Sequence, residues 1–365
     1  MHATTPPEHL VSFGDGEPKY PALTSFFPAV AAATRDPVLQ WFFTTYGAPQ
    51  PQFPIWELLW YDDTLESRSP ESSLPRGRAF AAHSGLISSR SNWDPVTTPS
   101  VVFSKAGSAK VNHTHPDAGQ IEIHGHARPL IVDLGSVPYP DSDARRHYHF
   151  SSEGHNQINV AGRQQRWDLE HEAHCTHSAF DDELGGWWQI DLTDLHESVQ
   201  NVRRTVVHLL PNIVVVLDDV QLLRQEPIRV RWHPGGEPQI EFPHDFRVVV
   251  DEVALSAKVV ELAGADSPEL ILGHHAYRPP YDHDRIGNPM PQRHEPYLDA
   301  TVHGQKARFL SLFAIGEPRA PMDLWQQVDS FNWCIGQDDH QVDMQVASGV
   351  LSVTGPNGVW TMAID

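Results

Sequence analysis

The sequence is poor in cysteine, in positive charge and in long apolar runs. Only two of its 365 residues are cysteines, Cys175 and Cys334, which excludes a disulfide framework and a cysteine-rich zinc module. No apolar run approaches the roughly 20 residues that cross a bilayer, so no membrane span is predicted. The formal net charge is −21. Such an acidic chain is a poor partner for nucleic acid, whose phosphates are bound by Lys and Arg.

The first residues, MHATTPPEHL, lack the basic segment and apolar core of a signal peptide. As it stands, the sequence therefore predicts a cytoplasmic protein. It predicts a periplasmic or secreted protein if a further segment precedes this start. The sequence does not fix the oligomeric state, and a homo-oligomer is compatible with it.

The negative charge is unevenly distributed along the chain. Residues 101–170 contain seven Lys or Arg, eight Asp or Glu, and seven of the 23 histidines. A nearly neutral, protonatable patch on an acidic body can admit an anionic ligand that the remaining surface repels. Ordinary fluctuation of composition explains the same count equally well.

The chain is rich in short runs of β-branched residues bounded by Gly, Pro and Asp. They begin near residue 97, with SVVFSKAG, and continue to GVLSVTGPNGVWTMAID at the end, which is typical of an antiparallel β-sandwich. Residues 1–95 have a helical character instead. In RDPVLQWFFTTYG, Asp36 is placed to cap a helix and Pro37 to occupy its first position. We predict a mainly β protein, with a short helical segment over 1–95 and a large antiparallel β-sandwich over 96–365.

Turn signals give more local expectations. LPNIVV and GPNGVW are predicted to be hairpin turns. The Pro-rich stretch 274–300 is predicted to be a long surface loop. Asp218 and Asp219 are expected at a strand end, where they would serve a turn.

The stretch KVNHTHPDAGQIEIHG, residues 110–125, brings two histidines and an aspartate close together. On an extended strand, residues i and i+2 share a face, so His113 and His115 are predicted to point the same way. Pro116 and the following PDAG would then turn the chain into the next strand. The pair could bind a metal, exchange protons, or be two solvated or packed histidines.

Two later stretches favour a metal site. Asp133 ends the apolar run RPLIVD, where a buried carboxylate needs a cation or several hydrogen bonds. His155 directly precedes another alternating strand. If sheet pairing brings His115, Asp133 and His155 together, two nitrogens and one oxygen suit Zn²⁺ with one position open. Other histidines of this region, His124, His126, His147 and His149, are expected at the surface or lining a cleft.

A cupin also carries His-x-His on a β-barrel. Its glutamate is expected three or four residues after the second histidine, whereas Glu122 follows His115 by seven. The cupin alternative is therefore weak.

The ordered set NHTHPDAG, IVDLGSVPY and SSEGHNQINVAG resembles the heparinase II/III family of polysaccharide lyases. The resemblance extends from about Ser84 to about Trp232. It implies an N-terminal helical (α/α) toroid followed by a β-sandwich, so residues 1–95 would be the remnant of a toroid. It also implies that His115, Asp133 and His155 are the metal ligands, with zinc in a structural role.

The activity that the resemblance implies is β-elimination on an acidic polysaccharide or oligosaccharide with 4-linked uronate. His113 would project into the cleft as a catalytic residue, neutralising the uronate carboxylate or taking its C5 proton. Tyr139 would line the same cleft as a second catalytic residue. Arg145 and Arg146, in DARRHYH, would bind the substrate carboxylate.

One departure from the family pattern concerns the toroid. The family's catalytic tyrosine and a second histidine lie there, well before the His-x-His motif, and no motif places either in residues 1–112. Three hypotheses therefore stay open. The chain is a lyase completed by a helical part, a non-catalytic metal-stabilised β-sandwich that binds acidic polysaccharide, or an inactive lyase fragment.

Overall fold

The structure is a computed structural model that describes most of the chain. The described residues are 1–5, 9–16, 26–46, 54–80, 85–108, 113–135, 148–264, 268–280, 282–283, 286–290, 295–318, 325–336 and 341–364, with the backbone alone for 5, 9, 108 and 241–242. Three α-helices lie near the N-terminus: α1 (Phe27–Thr34), α2 (Pro37–Tyr46) and α3 (Pro54–Trp60). None of the helices in these ranges is long and apolar enough to span a membrane.

Apart from short 3-10 helices at Pro70–Ser72, Ser152–Gly154 and Thr193–Leu195, strands make up the other regular elements of the described residues. In chain order they are β1 (Thr4–Thr5), β2 (His9–Leu10), β3 (Gly77–Ala79), β4 (Leu86–Arg90), β5 (Val101–Lys105), β6 (Gly107–Ser108), β7 (Ile121–Gly125), β8 (Arg128–Ile131), β9 (Ile158–Val160), β10 (Glu172–Asp181), β11 (Gly185–Asp191), β12 (Val199–Leu209), β13 (Ile213–Trp232), β14 (Gln239–Phe242), β15 (Asp245–Val250), β16 (Val253–Glu261), β17 (Ile271–His275), β18 (Glu295–Gly316), β19 (Gln326–Asp329), β20 (Asn332–Ile335), β21 (Val342–Ala347), β22 (Val350–Gly355) and β23 (Gly358–Ala363).

Strands β1 and β2 pair with each other, and the other strands form three antiparallel layers. The middle layer is an 11-stranded sheet with the order β14-β15-β16-β18-β13-β12-β11-β10-β6, to which β17 adds on β18 and β9 on β13. One outer layer is the sheet β3-β4-β5-β7-β8, and the other is β19-β20-β21-β22-β23. The predicted mainly β, antiparallel sandwich is therefore confirmed.

Both faces of the middle sheet are buried, and the sequence of its central strands follows from this. In β13, Val214 and Val216 pack in the core shared with the first outer sheet. Val215 and Leu217, on the opposite face, pack in the core shared with the C-terminal sheet. Successive side chains of a strand point to opposite faces, so a stretch covered on both sides can be apolar at successive positions, as residues 214–217 are.

The helical segment and both hairpins agree with the sequence expectations. Asp36 caps α2, since its Oδ1 accepts hydrogen bonds from the backbone N–H of Val38 at 2.8 Å and of Leu39 at 3.3 Å. The hairpin β12–β13 closes at the pair Leu209↔Ile213. The hairpin β22–β23 closes at Gly355↔Gly358. The boundary between 1–95 and 96–365 stays a prediction, and strands β3 and β4 lie on its N-terminal side.

Two expectations were wrong. The predicted loop 274–300 has a strand at each end, because His275 of β17 pairs directly with Glu295 of β18. Asp218 and Asp219 do not end a strand but lie within β13. They fit there because each carboxylate accepts a hydrogen bond from an arginine, Asp218 from Arg204 and Asp219 from Arg308.

His208 of β12 joins the middle sheet to the first outer sheet. Its Nδ1 lies 2.8 Å from the hydroxyl of Ser89, and its Nε2 lies 2.7 Å from the hydroxyl of Ser100. The ring is fully buried, and this burial lowers the pKa of His208 from 6.5 to about 3. Burial similarly lowers the pKa of His196 to about 4. Both rings are therefore neutral in the folded protein near neutral pH.

These histidines should make the fold sensitive to acid. A histidine whose pKa is lowered by folding binds its proton more readily in the unfolded chain, so stability falls as the pH drops below 6.5 toward the folded value. Between pH 7 and 5 we expect His208 to contribute a loss of up to about 2 kcal/mol. Urea unfolding at several pH values measures it. In a His208→Gln variant, the free energy of unfolding should depend less steeply on pH than in the parent. In His126→Gln, at an exposed turn, it should keep the slope of the parent. Equal slopes for all three chains would contradict the assignment.

Candidate active site and metal cluster

His113 and His115 lie on an irregular loop, so the expectation that they share the face of a strand was wrong. The strand that follows, β7, begins only at Ile121. His113 has φ +64°, a left-handed conformation that is uncommon for residues other than glycine. The two side chains consequently differ in exposure. That of His113 is 63% exposed, whereas that of His115 is fully buried.

A carboxylate from the N-terminal segment joins the two histidines. Asp15 Oδ2 lies 3.0 Å from Nδ1 of His113, and its Oδ1 lies 3.0 Å from Nε2 of His115. The backbone N–H of Asp15 also donates to the carbonyl of His113 at 3.0 Å. Gly14 permits this approach, because a Cβ at that position would lie 2.5 Å from the carbonyl oxygen of His113. The segment is thus held directly against the histidine loop.

Beneath this loop, three chain segments meet in a buried cluster of Asp117, Asp133 and His155. Each offers a ligand atom, and these atoms lie within 4.8 Å of one another. Asp133 Oδ2 is 3.1 Å from Nδ1 of His155, and its Oδ1 accepts a hydrogen bond from the N–H of Gly135 at 2.7 Å. The expectation that Asp133 is buried with polar partners is confirmed.

His115 lies beside this cluster rather than among its closest donors. Its ring centroid is 5.4 Å from that of His155. Burial, together with the positive charge on His155, lowers the pKa of His115 to about 4. His115 is therefore neutral near neutral pH, the state in which an imidazole binds metal.

Charges in the cluster are compensated by neighbouring bases. Burial raises the pKa of Asp117, but the ammonium of Lys105, which forms an ion pair with it, together with His155 and His115, outweighs burial and keeps this pKa below its usual range. Burial disfavours the charged form of His155, yet the Asp133 carboxylate raises its pKa overall. Two carboxylates thus face two basic groups in an interior that excludes water.

The donor set fits a divalent metal ion. Nε2 of His155 is buried and has no hydrogen-bond partner among the residues that the structure describes. A buried nitrogen without a partner is costly, and coordination of an ion is one way to satisfy it. Carboxylate oxygens and imidazole nitrogens are ligands that Zn²⁺ accepts. The predicted pair Asp133 and His155 is brought together, with Asp117 as a candidate ligand and His115 alongside.

The loops of the cluster are fixed by the side chain of Asn156. Its Nδ2 donates to the carbonyls of Ile121 and Val132, each at 2.8 Å. Its Oδ1 accepts a hydrogen bond from the backbone N–H of His233 at 2.6 Å. One amide therefore ties the segment that carries His155 to β7, to the end of β8 and to the end of β13.

Tyr139, Arg145 and Arg146 lie outside the described residues, and their assignments stay predictions. Sequence reasoning missed Asp15 and Lys105. Lys105 had a signal, because a lysine directly after the apolar run VVFS must find a buried partner. Asp15 had none, since only the fold brings it to His113.

Solved structures share this architecture. Heparan sulfate lyase HepC from Pedobacter heparinus superposes with a TM-score of 0.69 at 13% identity, over 100% of this chain and 51% of that chain. A heparinase III with methylated lysines gives 0.72 at 12%, over 99% and 50%. Another heparinase III structure gives 0.69 at 12%, over 100% and 52%. At these identities the likeness concerns the fold alone, and the chain spans about half the length of each protein.

The fold is therefore that of the β-sandwich of heparan sulfate lyases. The sequence profile of the family described as heparinase II/III-like, C-terminal, matches residues 74–287. Since the match covers more than half of the chain, this protein belongs to that family of polysaccharide lyases. No curated protein matches the sequence significantly.

The buried pair of Lys105 and Asp117 can be tested by removing one partner. In Lys105→Met, the Asp117 carboxylate stays buried without its ammonium, which should lower the free energy of unfolding by about 3–5 kcal/mol. Urea unfolding in the presence of a chelator measures this change. The double variant Lys105→Met/Asp117→Asn should recover much of the loss, because it removes both charges. A single variant as stable as the parent would mean that the pair is not needed.

Proposed function

We propose that this chain forms the β-sandwich part of a polysaccharide lyase that cleaves 4-linked uronate chains by β-elimination. The observation that supports the proposal most directly is the exposed His113, held by Asp15 above a buried cluster of carboxylates and imidazoles. Membership of the heparinase II/III-like family supports the same chemistry.

In β-elimination, a base takes the C5 proton of the uronate, and its electrons form a double bond between C4 and C5. The bond from C4 to the glycosidic oxygen breaks, and that oxygen takes a proton as it leaves. The C5 proton is weakly acidic until the adjacent carboxylate is neutralised, so the site needs a positive or protonated group there. A second group must accept the C5 proton.

His113 suits either role. Its Nδ1 faces the Asp15 carboxylate, which fixes the tautomer with the proton on that nitrogen. Nε2 is then the atom that meets the substrate. A neutral ring can accept the C5 proton at Nε2, and a protonated ring can donate from it to the uronate carboxylate. Tyr139, Arg145 and Arg146 are proposed as its partners at the substrate.

A zinc ion would be held by Asp133 and His155, together with His115 or Asp117. It would supply structural rigidity, because it would join the three loops by coordination in addition to their existing contacts. His115 is linked through Asp15 to His113, so this rigidity would position the catalytic ring.

Activity is proposed to require a helical part that packs on the N-terminal helices. Helix α3 has no buried residue. It exposes Ile55 by 64%, Leu58 by 77% and Leu59 by 66%. An apolar helix face of this kind is normally covered by another element. Helices of the toroid type would cover it and would bring the catalytic tyrosine, which no motif places in residues 1–112.

The alternative is a non-catalytic β-sandwich that binds acidic polysaccharide. The exposed ring of His113, held by Asp15, supports this alternative as well, because it can bind a carboxylate whether or not a base completes the site. In that case His113 and its surroundings would bind the uronate carboxylate without eliminating.

The decisive experiment follows the ultraviolet absorbance of unsaturated uronate during incubation with heparan sulfate or alginate, with the chain joined to the helical part that the proposal requires. We expect His113→Asn to lower the initial rate by about 10²–10⁴-fold, the usual contribution of an acid–base group. Asparagine is chosen because it tolerates the positive φ at this position. The matched control is His126→Asn, which changes another exposed histidine with positive φ, 44°.

Each outcome decides between the two functions. Product formed by the parent and by His126→Asn but not by His113→Asn supports the lyase. Retention on immobilised heparan sulfate without product supports the binding module. Neither product nor retention, with the chain folded, would contradict both.

A further inference from the structure

A second buried cluster of metal-binding side chains lies outside the candidate active site. It consists of His149, His275 and Glu295, whose ligand atoms lie within 4.8 Å of one another. Their side chains are 0%, 8% and 6% exposed. The sequence did not predict this cluster, since His149 was expected at the surface or in a cleft and the other two in a loop.

The fold places the three donors from two directions. His275 ends β17 and is the direct cross-strand partner of Glu295, the first residue of β18. His149 enters from the turn that precedes β9. Nε2 of His149 lies 3.0 Å from both carboxylate oxygens of Glu295, and Nδ1 of His275 lies 2.9 Å from Oε2. Both imidazoles therefore turn a nitrogen toward the same carboxylate.

An outer set of contacts orients these rings. The hydroxyl of Tyr277, itself buried, lies 3.2 Å from Nδ1 of His149. The ring of Tyr148 stacks on His275, with centroids 3.7 Å apart and planes 7° apart. Histidines that bind metals typically have the second nitrogen held by a hydrogen bond, which fixes the tautomer and the ring orientation. His149 has this arrangement.

The neighbouring basic groups do not oppose a cation in the cluster, because they are paired with carboxylates or neutral. Arg231, on the adjoining strand β13, is paired with Asp299 at 2.7 Å and with Glu153 at 2.8 Å. Burial and the charge of Arg231 lower the pKa of His233 well below its usual value, so this neighbour is neutral. His233 links the two clusters, through Tyr148 on one side and Asn156 on the other.

We propose that His149, His275 and Glu295 bind a divalent transition-metal ion, for which zinc is the best match, at a site separate from that of Asp133 and His155. Two imidazole nitrogens and one carboxylate oxygen are a donor set that Zn²⁺ accepts, with the fourth position left to water. The ion pins the turn at residues 148–150 to the β17–β18 pair. The competing arrangement is a hydrogen-bonded network with a proton on each imidazole and no ion.

Zinc stoichiometry distinguishes the two arrangements. The full chain is stripped with a chelator, dialysed against zinc chloride and then against metal-free buffer, and its zinc is measured by mass spectrometry. We expect Glu295→Gln, which keeps the shape but not the charge, to lose one zinc per chain relative to the parent. Asp133→Asn should keep the zinc of the second cluster, so the two sites are counted separately.

A matched control lies on the same strand. His274 precedes His275 on β17 but points the other way, toward Glu237 at 2.9 Å, and is 38% exposed. His274→Ala should leave the zinc count unchanged. Tyr277→Phe should keep the ion but weaken zinc binding by about 10-fold to 100-fold, the usual effect of removing an outer contact to a ligating histidine. Calorimetric titration with zinc measures that affinity.

The proposal fails if Glu295→Gln folds and binds as much zinc as the parent. If Glu295→Gln does not fold, as judged by circular dichroism, an unchanged zinc affinity in Tyr277→Phe overturns it instead. A parent chain that binds no zinc also overturns it. None of these readouts depends on lyase activity. The proposed lyase function can therefore fail while this zinc site is confirmed, and the zinc site can fail while the lyase function is confirmed.

Discussion

The buried ion pair of Arg204 and Asp218 is the contact on which the geometry of the site depends. The two residues are cross-strand partners on β12 and β13, both fully buried, with Nε and Nη2 of the guanidinium 2.6 and 2.8 Å from the two carboxylate oxygens. The remaining Nη1 donates to the carbonyls of Gly119 and Asn156, each at 2.6 Å. Gly119 is on the loop of Asp117, and Asn156 follows His155. One guanidinium in the middle sheet therefore fixes two of the loops that build the cluster.

Charge balance explains how so many ionisable groups can be buried above that pair. Lys105 forms an ion pair with Asp117, and the Asp133 carboxylate, 3.1 Å from Nδ1 of His155, raises the pKa of that imidazole. Each buried carboxylate therefore faces a basic group rather than standing alone. A divalent ion would bring positive charge to the same carboxylates and would bind the imidazole in its neutral form.

The sequence was informative where the chemistry is local. The cap of α2 at Asp36, both hairpins and the buried Asp133 follow from neighbouring residues, and the alternation of β-branched residues predicts the sandwich. It failed where distant segments decide the outcome. Asp218 was predicted at a strand end because its partner, Arg204, is on another strand and cannot be read from the local sequence. The Pro-rich composition of 274–300 predicted a loop, although His275 pairs with Glu295. Asp15 and His113 are 98 residues apart in the sequence, so no local pattern predicts their contact.

A single stretch of sequence connects the two clusters. Asp133 belongs to one and His149 to the other, and the sequence between them carries Tyr139, Arg145 and Arg146, the residues proposed to meet the substrate. The described residues on either side of this stretch are held at the two clusters, Gly135 by its hydrogen bond to Asp133 and Tyr148 by its contact with His233. Ions at both clusters would fix these two ends by coordination rather than by hydrogen bonds alone. The rigidity of the β-sandwich would then reach the described residues on both sides of this stretch, and Asp15 would extend it from His115 to His113.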